Sequence, residues 1–128
     1  MRSEGNQWEI KAASFLRGHG LTIIVQNFTC PFGEIDLIGD DQGVIVFVEV
    51  RKRKRSRFGN AASSVGRAKQ KKIIRSAAFY LQQHGAMADT HCRFDVIAYD
   101  VGADDPDTPK WLRSAFSANA MAHGYQTQ

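Results

Sequence analysis

Cysteine is scarce in this chain: Cys30 and Cys92 are the only two, and neither belongs to a Cys-x-x-Cys pair. That argues against a secreted disulfide framework and against a cysteine-based zinc site. Long apolar runs are missing as well, since none reaches the roughly 18 residues of a membrane span. The start, Met1-Arg2-Ser3-Glu4-Gly5-Asn6-Gln7, is polar and has no signal-peptide core. A reduced, cytoplasmic protein with no membrane partner is expected. With 128 residues, the chain suits one domain, 1–128, able to bury its own core without staples.

Acid is absent where base is dense. Residues 51–75 hold 11 Lys or Arg and no Asp or Glu, whereas the rest of the chain carries 6 basic and 13 acidic residues. The formal net charge of +4 is therefore one basic patch on an otherwise acidic protein. A localised patch suits a polyanionic partner; a solvated loop followed by a charged helix face is the alternative.

Residues 6–17 read as a helix, with Glu9, Ala12, Ala13 and Leu16 on one stripe and Gly18 and Gly20 ending it. Leu21 to Asn27 reads as a strand, Pro31 to Gly33 as a turn, and Glu34 to Gly39 as a second strand. Asp40-Asp41-Gln42-Gly43 is a hairpin connection into Val44–Val50, whose apolar character predicts a central strand. Residues 51–62 read as a basic, then small-residue loop. A helix is expected over 64–84, its apolar face made by Ile73, Ile74, Ala77, Ala78 and Leu81. Arg93–Val101 and Trp111–Phe116 are the last strands, separated by a solvent loop at 104–109, and 117–128 reads as a flexible tail. The order α-β-β-β-α-β-β predicts an α/β fold with a mixed sheet flanked by helices.

Carboxylates stand inside two of these apolar strands, in Gly33-Glu34-Ile35-Asp36-Leu37-Ile38 and Val46-Phe47-Val48-Glu49-Val50-Arg51. Burial of a carboxylate is costly unless it is paired, hydrogen-bonded or bound to a cation. If Gly39 pairs with Val44, Asp36 faces Phe47 and Glu34 faces Glu49, so Glu34, Asp36, Ile38, Ile45, Phe47, Glu49 and Arg51 share one face. The other face, with Ile35, Leu37, Val44, Val46, Val48 and Val50, is pure core. Asp36 and Glu49 are then diagonal neighbours able to converge on a hard cation such as Mg²⁺, which takes one or two carboxylates and fills its shell with water and phosphate oxygens. Salt bridges to Arg51 or Arg53 are the alternative. Glu9 points inward from its helix stripe to join the cluster, or serves as a first-turn acid favoured by the helix dipole. Gln70, four residues before Ile74, either orients a phosphate or water or hydrogen-bonds the end of the sheet. Phe58 and Trp111 are either base-stacking residues or core and rim.

The blocks Glu9-x-x-Ala12-x-x-Phe15-Leu16, Gly33–Ile38, Val46–Arg51 and Arg93-Phe94-Asp95-Val96 together resemble the YraN family. That family of small bacterial proteins is similar to archaeal Holliday-junction resolvases of the PD-(D/E)xK nuclease superfamily. The resemblance implies a restriction-endonuclease-like core, Asp36 and Glu49 as metal ligands for Mg²⁺ or Mn²⁺, and Glu9 as an auxiliary acid. Arg51 then stands where the superfamily has lysine. Arginine stays protonated and cannot act as a base, but it can stabilise charge on a transition-state phosphate. A junction resolvase needs two active sites, so a symmetric homodimer is expected if that activity holds.

The leading expectation is a metal-dependent endonuclease on DNA, branched or junction DNA in particular. Catalytic roles fall to Glu9, Asp36, Glu49, Arg51 and Gln70. Arg53, Lys54, Arg55 and Arg57 guide the backbone, while Arg67, Lys71 and Arg75, one helical turn apart, track a second strand. Two alternatives stand beside it: a non-catalytic nucleic-acid-binding protein that keeps the nuclease fold, and a basic docking surface for an acidic protein.

Overall fold

A computed structural model of the protein describes residues 3–54, 65–85, 90–101 and 108–118. Its elements run α1 (Ser3–Gly18), β1 (Thr22–Cys30), β2 (Gly33–Asp41), β3 (Val44–Lys54), α2 (Arg67–Gln83), β4 (Cys92–Val101) and β5 (Lys110–Phe116). This is the order expected from the sequence. The strands form one mixed sheet in the order β1-β2-β3-β4-β5, with β3 and β4 parallel and the other neighbours antiparallel. A parallel pair needs a crossover, and α2 lies within it. Among the described residues no helix is long and apolar enough to cross a membrane, and Cys30 and Cys92 are both free.

The helices cover opposite faces of the sheet. Ala12, Ala13 and Leu16 of α1 are at most 1% exposed and pack with Leu37, Val46, Val48, Ile97 and Tyr99. On the other face Ile73, Ala77 and Tyr80 of α2 pack with Ile35, Ile38, Phe47, Phe94 and Val96. β3 contributes to both layers through its alternation, which is why its sequence is almost continuously apolar.

Several expectations change. β3 runs on to Lys54 instead of ending at Val50, because β4 pairs with it in parallel as far as the rung Lys54↔Val101. Residues 51–54 are thus strand rather than loop. The buried stripe of α2 is Ile73, Ser76, Ala77 and Tyr80; Ile74 and Leu81 are half-buried and Ala78 is exposed. Residues 55–64, 102–107 and 119–128, which include most of the proposed small-residue loop, the acidic loop and the tail, lie outside the described residues.

The hairpin register also moves. Asp41 pairs with Val44 and Gly39 with Val46, a shift of two residues from the expected pairing. The connection is a two-residue turn, Gln42-Gly43, with φ of 53° and 94°, the left-handed pair of a type I′ turn. Asp40 Oδ1 accepts the Gly43 N–H at 3.0 Å and closes it. An even shift leaves β3's faces as expected. Gly43→Ala is expected to destabilise the protein by about 1–2 kcal/mol, since a side chain there must adopt a left-handed backbone. A urea midpoint equal to that of the wild type would contradict this.

Two paired strands, β1 and β2, depart from simple alternation. Ile35 joins Ile38 on the α2 face instead of Leu37 on the α1 face, and across the ladder Phe28 joins Val25 in the same way. Between the rungs Gln26↔Leu37 and Phe28↔Ile35 lie Asn27 and Asp36, and Asn27 has a left-handed φ of 59°. The break in alternation falls at Asp36 itself.

Candidate functional site

Asp36 stands where β2 parts from β3. The β2–β3 ladder runs from the turn to Leu37↔Val48, and one residue further on the Asp36 carboxylate takes over from the backbone. Its Oδ2 accepts the Val50 N–H at 2.8 Å. A half-buried N–H is thereby satisfied while the two strands separate. Asp36 and Glu49 then come to adjoining positions at the head of that separation.

Glu49 is 4% exposed. It alternates with Phe47 and so faces the α2 layer. Its Oε2 accepts from Arg51 Nη1 at 3.3 Å and lies 3.7 Å from Lys69 Nζ. Burial pushes the Glu49 carboxyl up from 4.5 to about 7, and the nearby Asp36 charge adds to that rise. Lys69 and Arg51 act in the opposite direction without cancelling it. A buried carboxylate whose ionisation is opposed by an acidic neighbour is a site that a hard cation can relieve. The contacts described fall on Oδ2 of Asp36 and Oε2 of Glu49.

The expected set divides around this pair. Arg51 and Asp36 are brought to Glu49, and Glu34 is not: it pairs with Thr29 of β1 and is exposed. Glu9 is 8% exposed, as its helix stripe required, but α1 covers the face opposite α2. Among the described residues no group of three or more His, Cys, Asp or Glu side chains is arranged to hold a metal. Gln70 Nε2 donates to Val65 O at 3.0 Å and fixes the entry into α2. Arg67, Lys71 and Arg75 are exposed on α2. Arg53 and Lys54 continue β3 beyond the pair, and Arg55, Arg57 and Phe58 lie outside the described residues. Trp111 Nε1 donates to Asp95 Oδ2 at 2.9 Å with Arg113 stacked on its ring, the rim role.

Lys69 was missed by the sequence reading, although a signal for it exists. It lies four residues before Ile73, the centre of the buried stripe, whereas Gln70 lies four before the half-buried Ile74. The choice of Ile74 as reference set the helix phase one residue late and placed the amide, not the ammonium, at the carboxylate.

Residues 8–99 match the profile of the uncharacterised protein family UPF0102. The chain belongs to the UPF0102 (YraN) family. A UPF0102 protein of Enterobacter sp. (strain 638) is 47% identical over 120 residues, 93% of this chain and 88% of that protein. A UPF0102 protein of Saccharophagus degradans is 44% identical over 115 residues, covering 90% and 93% of the two chains. One from Nitrosospira multiformis is 43% identical over 119 residues, covering 93% and 97%. The matched UPF0102 segment spans Asp36, Glu49, Arg51 and Lys69, so the whole candidate site falls within the family's own domain.

Proposed function

We propose that this protein is a divalent-metal-dependent endonuclease that hydrolyses DNA phosphodiester bonds, with branched or junction DNA as its substrate class. The observation that carries the reading is the pair Asp36–Glu49, set in the apolar sheet where β2 and β3 part and flanked by Arg51 and Lys69. Two carboxylates without a third match Mg²⁺ or Mn²⁺, which complete their shell with water and substrate phosphate. Asp36 and Glu49 would hold the ion, and when bound it would lower the pKa of a water and polarise the scissile phosphate.

The remaining roles belong to the chain itself. Arg51 presents a permanent positive charge to the phosphate, a planar donor fork suited to two of its oxygens. Lys69 adds a second cation from α2, with its side chain 43% exposed and so able to leave Glu49 for a substrate oxygen. Gln70 keeps the helix end in place through Val65. The basic residues of β3 and α2 attract the polyanion in a salt-dependent way.

A panel of junction, flap, single-stranded and duplex DNA incubated with Mg²⁺ or Mn²⁺ tests the reading, with wild type and Glu49→Ala side by side. Cleavage by the wild type and its loss in Glu49→Ala are expected; no cleavage of any substrate, or cleavage that survives the substitution, contradicts it. A second reading, a nucleic-acid-binding protein without catalysis, is favoured by Arg51 and its ion pair with Glu49. It predicts salt-dependent DNA binding with no turnover in either metal, and Arg51→Lys that gains cleavage.

A further inference from the structure

The sheet-facing edge of α2 runs from the candidate site to an exposed aromatic ring. Lys69 Nζ stands 3.7 Å from Glu49. Three residues on, Lys72 abuts the β1–β2 turn: a Cβ placed on Gly33 would lie 3.7 Å from the Lys72 Cβ and 3.5 Å from Ser76 Oγ. Three further on, the Arg75 guanidinium sits over the Phe32 ring, 5.1 Å from its centroid. Lys69, Lys72 and Arg75 thus form a row about 9 Å long at the helical rise of about 1.5 Å per residue.

Phe32 is 41% exposed, one of three large apolar side chains exposed among the described residues. The ring is held: Phe79 meets it edge-on at 6.0 Å, and Phe79 in turn rests against Phe28 at 6.4 Å. A fixed, half-exposed ring with a guanidinium over it and a row of cations leading to it is an arrangement suited to unpaired strands, whose phosphates follow the cations and whose bases stack on the ring and guanidinium. A paired duplex keeps its bases stacked on each other and cannot use the ring.

We infer that the Lys69–Lys72–Arg75 row and Phe32 form a binding track for an unpaired polynucleotide strand leading away from the Asp36–Glu49 pair. The inference rests on the nuclease reading for its purpose: the track would favour substrates that carry a single-stranded arm at the cleaved phosphate. It makes Phe32 a specificity-determining residue that holds substrate at a distance from the reacting atoms.

Binding measured without metal separates the two claims, because it needs no cleavage. Fluorescence anisotropy in EDTA would compare a deoxythymidine dodecamer, a uridine dodecamer and a blunt duplex, using wild type, Phe32→Ala and Phe32→Trp, with melting curves showing that each variant is folded. Phe32→Ala is expected to weaken binding of at least one single strand by about tenfold and to leave the duplex unchanged, with Phe32→Trp restoring it. The strand that loses more is the one that makes the greater use of the ring. Single-strand affinities equal to the wild type in Phe32→Ala, or an equal loss on single strand and duplex, overturn the inference whatever the cleavage panel shows.

Discussion

Glu49→Gln is expected to stabilise the metal-free protein above pH 7 while lowering metal-dependent cleavage by about a thousandfold or more, the several kcal/mol that a bound ion contributes. The stability half follows from the raised carboxyl. Folded, Glu49 keeps its proton up to about pH 7; unfolded, it loses it near 4.5. Between those values the native state binds more protons than the unfolded state, so stability falls as pH rises and the loss is complete above the folded pKa. The full shift is worth about 3 kcal/mol. The favourable ion pairs with Arg51 and Lys69 are already contained in that net rise. A glutamine carries no charge at any of these pH values and escapes the loss. Melting curves of EDTA-treated wild type should therefore fall by roughly 10 °C from pH 4.5 to pH 8 relative to Glu49→Gln. Mg²⁺ added at pH 8 should raise the wild type and leave the variant where it was. Parallel pH profiles for the two proteins would remove the buried, repelled carboxylate as the basis of the site.

How far the sequence led depends on which physical rule each residue obeyed. Glu9, Ala12, Ala13 and Leu16 are all buried because a helix against a sheet obeys its 3.6-residue period. The faces of β3 followed from the two-residue period and survived a register error, since the error was an even number. Ile35 broke the rule. Its side is set by the inversion at Asn27 and Asp36, and a left-handed asparagine inside an apolar strand leaves little trace in a hydrophobicity pattern. The sequence brought Asp36 near Glu49 through a register two residues off, as diagonal neighbours, whereas the ladder ending at Leu37↔Val48 leads them to facing positions just beyond its last rung. The backbone bond from Val50 to Asp36 was not legible, because it is a tertiary substitution for a ladder rung. Lys69 was within reach once Ile73 and not Ile74 is taken as the centre of the buried face. Phe32 escaped because an exposed ring at a turn has no periodic signature.

Asp95→Ala is expected to cost about 3–5 kcal/mol of stability, the penalty for breaking a buried ion pair by removing one partner. Asp95 is fully buried, and its carboxylate receives Arg93 Nε at 3.1 Å on each oxygen, Trp111 Nε1 at 2.9 Å and the Ser114 N–H at 2.9 Å. These contacts hold the edge strand β5, whose ladder with β4 shifts register between Phe94 and Val96 and whose Ser114 has a left-handed φ of 52°. The carboxylate compensates the backbone that this irregularity strands. Without it, Arg93 keeps its ion pair to Asp41 at 3.0 Å, while Trp111 and Ser114 lose an acceptor. Asp95→Asn keeps the shape and part of the bonding, so a smaller cost of about 1–3 kcal/mol is expected. Urea unfolding followed by tryptophan fluorescence reads both numbers, and an Asp95→Ala midpoint close to the wild type would rule the account out. The Arg93-Phe94-Asp95-Val96 block is then architectural: Asp95 faces the α1 layer, away from Glu49. Cleavage by Asp95→Asn at a temperature where it is folded should match the wild type, in contrast to every substitution at the Asp36–Glu49 pair.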